Sequence, residues 1–325
     1  AIARVFRLGG GENGMSPVRG VDPKLLVNGQ SLAVSNGRVF FRSSEPVMAK
    51  RTTERVSLTA GGLGPNNDSS ASSLSYDGRY AAFYSAATDL PNPNDFAVFA
   101  GCTSLYLRDR VAGATEQIDP RVDGGPPRCI YNNSGSTASS MSPDGRFVAF
   151  VSDDWNLENL VFDPATSGAF DVHLRDRCVS NGVAVGGGCT PSTARVSVAA
   201  DGSYCASTSV GQSSSPAVSD DGRYVAFVSN CTNLVPGDAN GQNDVFVRDI
   251  CRANGVVVPG CVTTTERVSG VAGAPDANGN VDSGSVGMSA DGRYVTFAAT
   301  VGFFPRQHVL VRDRLLGTTE VVSLN

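Results

Sequence analysis

Four segments of the chain spell one pattern: SLSYDGRYAAFYS from Ser73, SMSPDGRFVAFVS from Ser140, AVSDDGRYVAFVS from Ala217 and GMSADGRYVTFAA from Gly287. A fifth, AVSNGRVFFRSS from Ala33, keeps Gly37 and Arg38 but has a turn one residue shorter. Such self-similarity marks one supersecondary unit repeated along the chain, each copy needing its neighbours to bury its apolar faces. After the shared hairpin each repeat continues in the same order. An apolar strand ends in Arg-Asp (LYLRD to Asp109, VHLRD to Asp176, VFVRD to Asp249, VLVRD to Asp313), and a closing strand follows, such as TEQID at 115–119 or TTERVS at 264–269.

The residue chemistry of the unit predicts strands throughout. An Asp-Gly or Asn-Gly pair supplies the positive φ that a tight hairpin turn needs. In Tyr224-Val225-Ala226-Phe227-Val228-Ser229 both faces are largely apolar, which fits a strand sandwiched between two neighbouring sheets rather than one wetted on a side. Ala82, Ala149 and Ala226 stand at one matched position and let neighbouring sheets approach closely. The turn arginines Arg79, Arg146, Arg223 and Arg293 and the Arg-Asp pairs recur in the same way, which gives them a role in the unit itself.

Four strands per repeat and no helical periodicity leave a radial propeller or a linear solenoid. The turn glycines at 37, 78, 145, 222 and 292 are unevenly spaced, and propellers accept such insertions in their hairpin loops more readily than solenoids do. The expected fold is all-β: a β-propeller of four-stranded antiparallel blades, five in number, with six as the alternative. Residues 33–325 form the propeller domain. Residues 1–32 form an N-terminal extension whose strand, Ala3 to Leu8, closes the ring, belongs to an irregular sixth blade, or pairs with another subunit.

The repeat SxDGRYVAFxS…DVFVRD…TTERVS resembles the TolB-type, WD-repeat-like propeller repeat of exported proteins. The resemblance covers residues 33 to 323 and is best at 217 to 269. It implies a propeller fold and protein binding or scaffolding, without fixing one activity. TolB-type propellers have six blades, whereas five repeats are counted here.

Composition narrows the function. The net charge is −5 and no basic run exceeds Lys50-Arg51, so nucleic acid is not an expected partner. No apolar stretch approaches the ~18–20 residues of a membrane-spanning helix. The eight cysteines are even in number and contain no CxxC pair, which points to disulfides and hence to an exported protein, extracellular or periplasmic, with its signal removed. Cys178 with Cys189, and Cys251 with Cys261, flank two equivalent hairpins. Cys102 with Cys129, and Cys205 with Cys231, are the remaining pairs expected, each joining a position after an inner strand to an inter-repeat connection.

Two identical acidic patterns, Asp238-x-Asn240-Gly241-x-x-Asp244 and Asp276-x-Asn278-Gly279-x-x-Asp282, alternate oxygen ligands around a glycine. Calcium is the cofactor they suggest, although the distal glutamate of an EF-hand is missing. His173 and His308 lie in apolar strands without HxH or HExxH spacing, and no GxSxG elbow is present, so no catalytic residue is singled out and the chain is read as not an enzyme. Trp155 lies alone in a long insertion, and the Ser-rich connections and the sequons at Asn67, Asn132 and Asn230 leave room for glycans. The expected function is that of an extracellular or envelope propeller serving as a structural or protein-binding module. It self-assembles into a filament or surface layer if its N-terminal strand pairs with another copy. The alternative is an exported glycan lyase or hydrolase with its site on one rim.

Overall fold

The computed structural model describes residues 2–7, 10–12, 32–35, 38–43, 53–91, 102–122, 139–158, 170–205, 213–238, 241–269, 281–300 and 307–323; up to residue 43, and at Ala71, Trp155 and 281–285, only the main chain is described. The chain divides into two compact units, Ala1–Glu54 and Arg55–Asn325. Among its described residues the first unit has one sheet of β1 (Ile2–Arg7), β2 (Gly10–Glu12), β3 (Leu32–Ser35) and β4 (Arg38–Ser43), in the order β2-β1-β4-β3. The first repeat and the N-terminal strand therefore share a sheet, where the sequence reading set residues 1–32 apart from 33–325. Strand β1 pairs with β4 from Ile2 to Arg7 and with β2 on its other side, so pairing it with another copy would require it to leave its own sheet.

Among the described residues the second unit holds four four-stranded sheets, each an antiparallel meander, and two two-stranded ribbons. The second sheet of the chain contains β5 (Ser69–Leu74), β6 (Tyr80–Ser85), β7 (Ser104–Asp109) and β8 (Ala114–Gln117). The third contains β9 (Ser139–Met141), β10 (Phe147–Ser152) and β11 (Asp171–Asp176); a two-residue ribbon of β12 (Val179–Ser180) and β13 (Val183–Ala184) leads to its fourth strand, β14 (Ser192–Arg195). The fourth repeats that plan with β15 (Ser213–Val218), β16 (Tyr224–Ser229) and β17 (Asp244–Asp249), the ribbon β18 (Arg252–Ala253) and β19 (Val256–Val257), and β20 (Thr264–Arg267). The fifth contains β21 (Val281–Met288), β22 (Tyr294–Thr300), β23 (Gln307–Asp313) and β24 (Thr318–Val321). First strands of successive sheets touch one another, β5 on β9, β9 on β15 and β15 on β21. This is an all-β fold of the propeller type, with four-stranded antiparallel sheets as its units.

The S-x-D-G-R turn differs from a two-residue hairpin. Only its glycine has positive φ. The aspartate instead accepts hydrogen bonds from the turn serine and from the arginine main chain, as Asp144 does from Ser142 Oγ (2.6 Å) and Arg146 N (3.0 Å). The serine Oγ in turn accepts from the main chain five residues on, Phe147 N to Ser142 at 2.9 Å. Ser75, Ser219 and Ser289 make the same pair of contacts, so Ser, Asp and Gly each have a separate reason to recur.

Alternation along the second strand packs the third and fourth sheets each on two neighbours. In the third sheet Val148 and Phe150 join Tyr80, Ala82, Leu105 and Ile118 of the second. Phe147, Ala149 and Val151 face the other way, toward Val218, Val225 and Phe227 of the fourth. Ala226 and Val228 meet Val295 and Phe297 of the fifth. The turn glycines fit beneath rings of the preceding sheet: a Cβ at Gly145 would meet Tyr80, at Gly222 Phe147 and at Gly292 Tyr224.

Charged staples reinforce two of these three junctions. Arg177, just after β11, lies over the Tyr80 ring (4.8 Å), donates to Glu116 Oε1 (2.6 Å) and donates to the Gly145 carbonyl. Arg314 does the same at the next junction but one, over Tyr224 (4.4 Å) and to Glu266 (2.5 Å) and Gly292 O (2.5 Å). The Arg177→Met variant keeps the stem and loses the guanidinium, and is expected to cost about 2 kcal/mol, measured as a lower urea midpoint with unchanged slope. An unchanged midpoint would mean that the staple is ornamental.

Candidate functional site

The turns, together with the connections between third and fourth strands, make one edge of the second unit. There each turn arginine pairs with the Arg-Asp aspartate of its own sheet: Arg79 with Asp109 (2.7 Å), Arg146 with Asp176 (2.8 Å), Arg223 with Asp249 (2.7 Å) and Arg293 with Asp313 (2.6 Å). Hydrogen bonding to Arg293 leads the causes that hold the Asp313 carboxyl down at about 2. The β12–β13 ribbon is closed by Cys178–Cys189 and the β18–β19 ribbon by Cys251–Cys261. Each ribbon also reaches back over the preceding sheet. Arg79 donates to the Asn181 carbonyl, and a Cβ at Gly255 would lie 2.3 Å from Arg146 Nη2. Cystine at the base and an arginine beneath the tip fix these ribbons, yet Val183, Val256 and Val257 on them are 69%, 69% and 57% exposed.

Between the two ribbons, where the third sheet meets the fourth, lies a groove of about 550 Å³. Phe147, Leu174, Ala194 and Ile250 form its apolar part, Gly186 to Gly188 one side, and Asn254 to Val256 the other.

Cys205 pairs with Cys231. Cys102 is also disulfide-bonded, and Cys129, its expected partner, lies outside the described residues. Of the calcium positions, Asp238 and Asp244 are buried and both face Arg267 Nη1, at 3.5 and 3.6 Å. Ser269 Oγ donates to Asp244 at 2.5 Å. Calcium at this loop would have to share both carboxylates with a guanidinium. Asn240, Asp276 and Asn278 lie outside the described residues, and Asp282 is placed on β21 by its main chain alone.

At the opposite edge, sequence reasoning missed a buried polar cluster. Arg195 pairs with Asp171 (2.9 Å) and lies over the Tyr204 ring (4.4 Å), while Ser197 Oγ donates to Asp171 (2.7 Å). His173 stacks on Phe150 (5.5 Å), taking the place that Tyr106 and Phe246 occupy in neighbouring sheets. Its Nε2 is 4.0 Å from Glu158 Oε1, and neither ring nitrogen nor that oxygen has a hydrogen-bond partner among the described residues. Burial pushes the Glu158 carboxyl up to about 7, against the pull of Arg195, and burial together with Arg195 holds the His173 imidazole down to about 3. The signal was present in the repeats. Asp171 with Arg195, and Asp244 with Arg267, replace Ser104 with Gln117 at matched positions.

No family model matches the sequence, and no curated protein matches it. Solved structures similar to the chain include one from a study of two prolyl endopeptidases (12% identity, TM-score 0.40, over 80% of this chain and 30% of that one). Prolyl oligopeptidase B from Galerina marginata is similar at 11% identity and TM-score 0.40, over 81% and 30% of the two chains. The β-propeller domain of the Trilobed protease from Pyrococcus furiosus is similar at 11% and 0.30, over 58% and 42%. The chain thus spans 30% of the length of the prolyl peptidases it matches. The reading of the chain as not an enzyme is corrected on this point: the solved structures similar to it include prolyl peptidases. They assign no activity to this chain.

Proposed function

We propose that the chain is an exported propeller module that binds protein partners through the edge carrying its two cystine ribbons. One observation carries this reading: exposed valines stand on ribbons held at their base by a disulfide and at their tip by the preceding sheet. Loops fixed in advance lose little conformational freedom on binding, and apolar side chains held out in water on rigid supports suit a contact surface. The resemblance to TolB-type repeats, which implies protein binding or scaffolding, supports the same reading, and the disulfides support export. No helix among the described residues is long and apolar enough to cross a membrane.

The test replaces residues 178–191 and 251–263 with Val-Ala-Gly, so that each sheet crosses from its third to its fourth strand in four residues, as the second sheet does from Arg110 to Gly113. This variant and the natural chain are immobilised, exposed to secreted material of the source organism, cross-linked and mapped. Cross-links concentrated on 179–188 and 252–257 in the natural chain, and lost in the folded variant, are expected. Cross-links elsewhere, or a partner retained by the variant, would sink the reading.

A further inference from the structure

The groove exists because one junction lacks its staple. Arg177 and Arg314 each follow an Arg-Asp pair, lie over Tyr80 or Tyr224, and reach Glu116 or Glu266. By strand register the matching positions at the junction of the third and fourth sheets are Ile250, Phe147 and Ala194: Ala194 stands opposite Leu174 as Glu116 stands opposite Leu107 and Glu266 opposite Val247. All three members have changed together, from cation, phenol and anion to an aliphatic, a plain ring and a methyl. Ile250 is shorter than arginine and Ala194 shorter than glutamate, so the space the ion pair fills elsewhere is open here and apolar.

The walls say what fits. Arg146 and Asp176 at the groove are already paired at 2.8 Å, and Arg252, also on its wall, donates to the Gly255 carbonyl at 3.3 Å. Gly186 has an ordinary φ, and a Cβ on it would meet nothing within 4 Å, so its own fold does not demand glycine. Among the described residues, the main chains of Gly186 and Gly187 make no hydrogen bond. Gly187 lies at φ +78°, so this main chain is a turn rather than a strand edge, and beside an apolar slot it offers amide donors and acceptors to a second chain and space for one of its side chains.

We propose that this groove takes an extended peptide segment of a partner protein, seating one aliphatic or aromatic side chain against Phe147, Ala194 and Ile250 while its main chain bonds to Gly186 and Gly187. The proposal rests on the reading of this edge as protein-binding and names the partner's chemistry.

The probes are acetyl-Ser-Val-Leu-Val-Ser-amide and its glutamate-centred counterpart, titrated into the isotope-labelled full chain and followed by amide shifts. The leucine peptide is expected to shift Gly186, Gly187 and Ile250 and to bind at least tenfold more tightly than the glutamate peptide. Ile250→Arg with Ala194→Glu rebuilds the staple of the neighbouring junctions; it is expected to melt no lower than the natural chain and to lose the peptide. Gly186→Phe fills the groove from the wall and serves the same end should the first variant fold poorly. No shifts at these residues, equal affinity for the two peptides, or binding retained in both variants would overturn the proposal. Cross-linking the staple variant to the natural partner separates the two readings. A partner still mapped to the ribbons, with the peptide not bound by the natural chain, removes the groove alone, whereas no cross-links to the ribbons in the natural chain removes the edge as well.

Discussion

Gly222→Ala is expected to lower stability by about 2–5 kcal/mol, out of the ~5–15 kcal/mol that hold a domain folded. Two costs add at this residue. Its φ is +72°, where an L side chain loses roughly 1–2 kcal/mol. Its Cβ would lie 2.5–2.7 Å from three atoms of the Phe147 ring. That ring is buried in the core shared by the third and fourth sheets, and overpacking of this kind costs about 1–3 kcal/mol. Gly202→Ala isolates the first cost. Gly202 has φ +86° and nothing within 4 Å of its Cβ, and about 1 kcal/mol is expected there. Urea unfolding of the two variants decides the matter: similar losses would mean that the turn glycine serves only its own turn and not the joint between sheets.

Glu158→Gln is expected to change how stability depends on pH. An unfolded glutamate gives up its proton near 4.5, whereas the folded carboxyl holds its proton to about 7. Between those values the folded chain carries more protons than the unfolded one, so this group's contribution falls as pH rises. His173 acts in the opposite sense. It stays neutral in the folded chain down to about 3, while the unfolded imidazole takes up a proton near 6.5, so its contribution rises with pH up to that point. The difference in unfolding free energy between variant and natural chain cancels the histidine and leaves the glutamate. That difference should move in favour of the glutamine variant by about 2–3 kcal/mol between pH 5 and pH 8, read from urea midpoints at four pH values. A difference flat across that window would show that the Glu158 carboxyl ionises in the folded chain as it does in water.

The same residues mark how far reading the chain could go. SxDGR announced its hairpin because each letter is fixed by a contact within six residues: serine to aspartate, aspartate to the arginine main chain, glycine by its φ. The cystine ribbons were legible for a similar reason, their cysteines flanking short segments at matched places in two repeats. The Asp238 and Asp244 pattern was legible as a cluster of acids, but its counter-charge, Arg267, comes from the closing strand of the same repeat and carried no local mark. Glu158 was hidden because nothing in its insertion says that it will be folded against His173.

What the sequence settled alone was the unit, its strands and its turns, since these depend on short-range periodicity and on turn chemistry. What the tertiary structure decided was everything between units: which face of each strand meets which neighbour, that Arg177 and Arg314 staple two junctions, and that Ile250, Phe147 and Ala194 leave the third one open. Contacts of that kind join residues from different repeats, and no periodicity along one chain states how far one sheet will stand from the next. Only the packed positions of both sheets turn three separate substitutions into one groove.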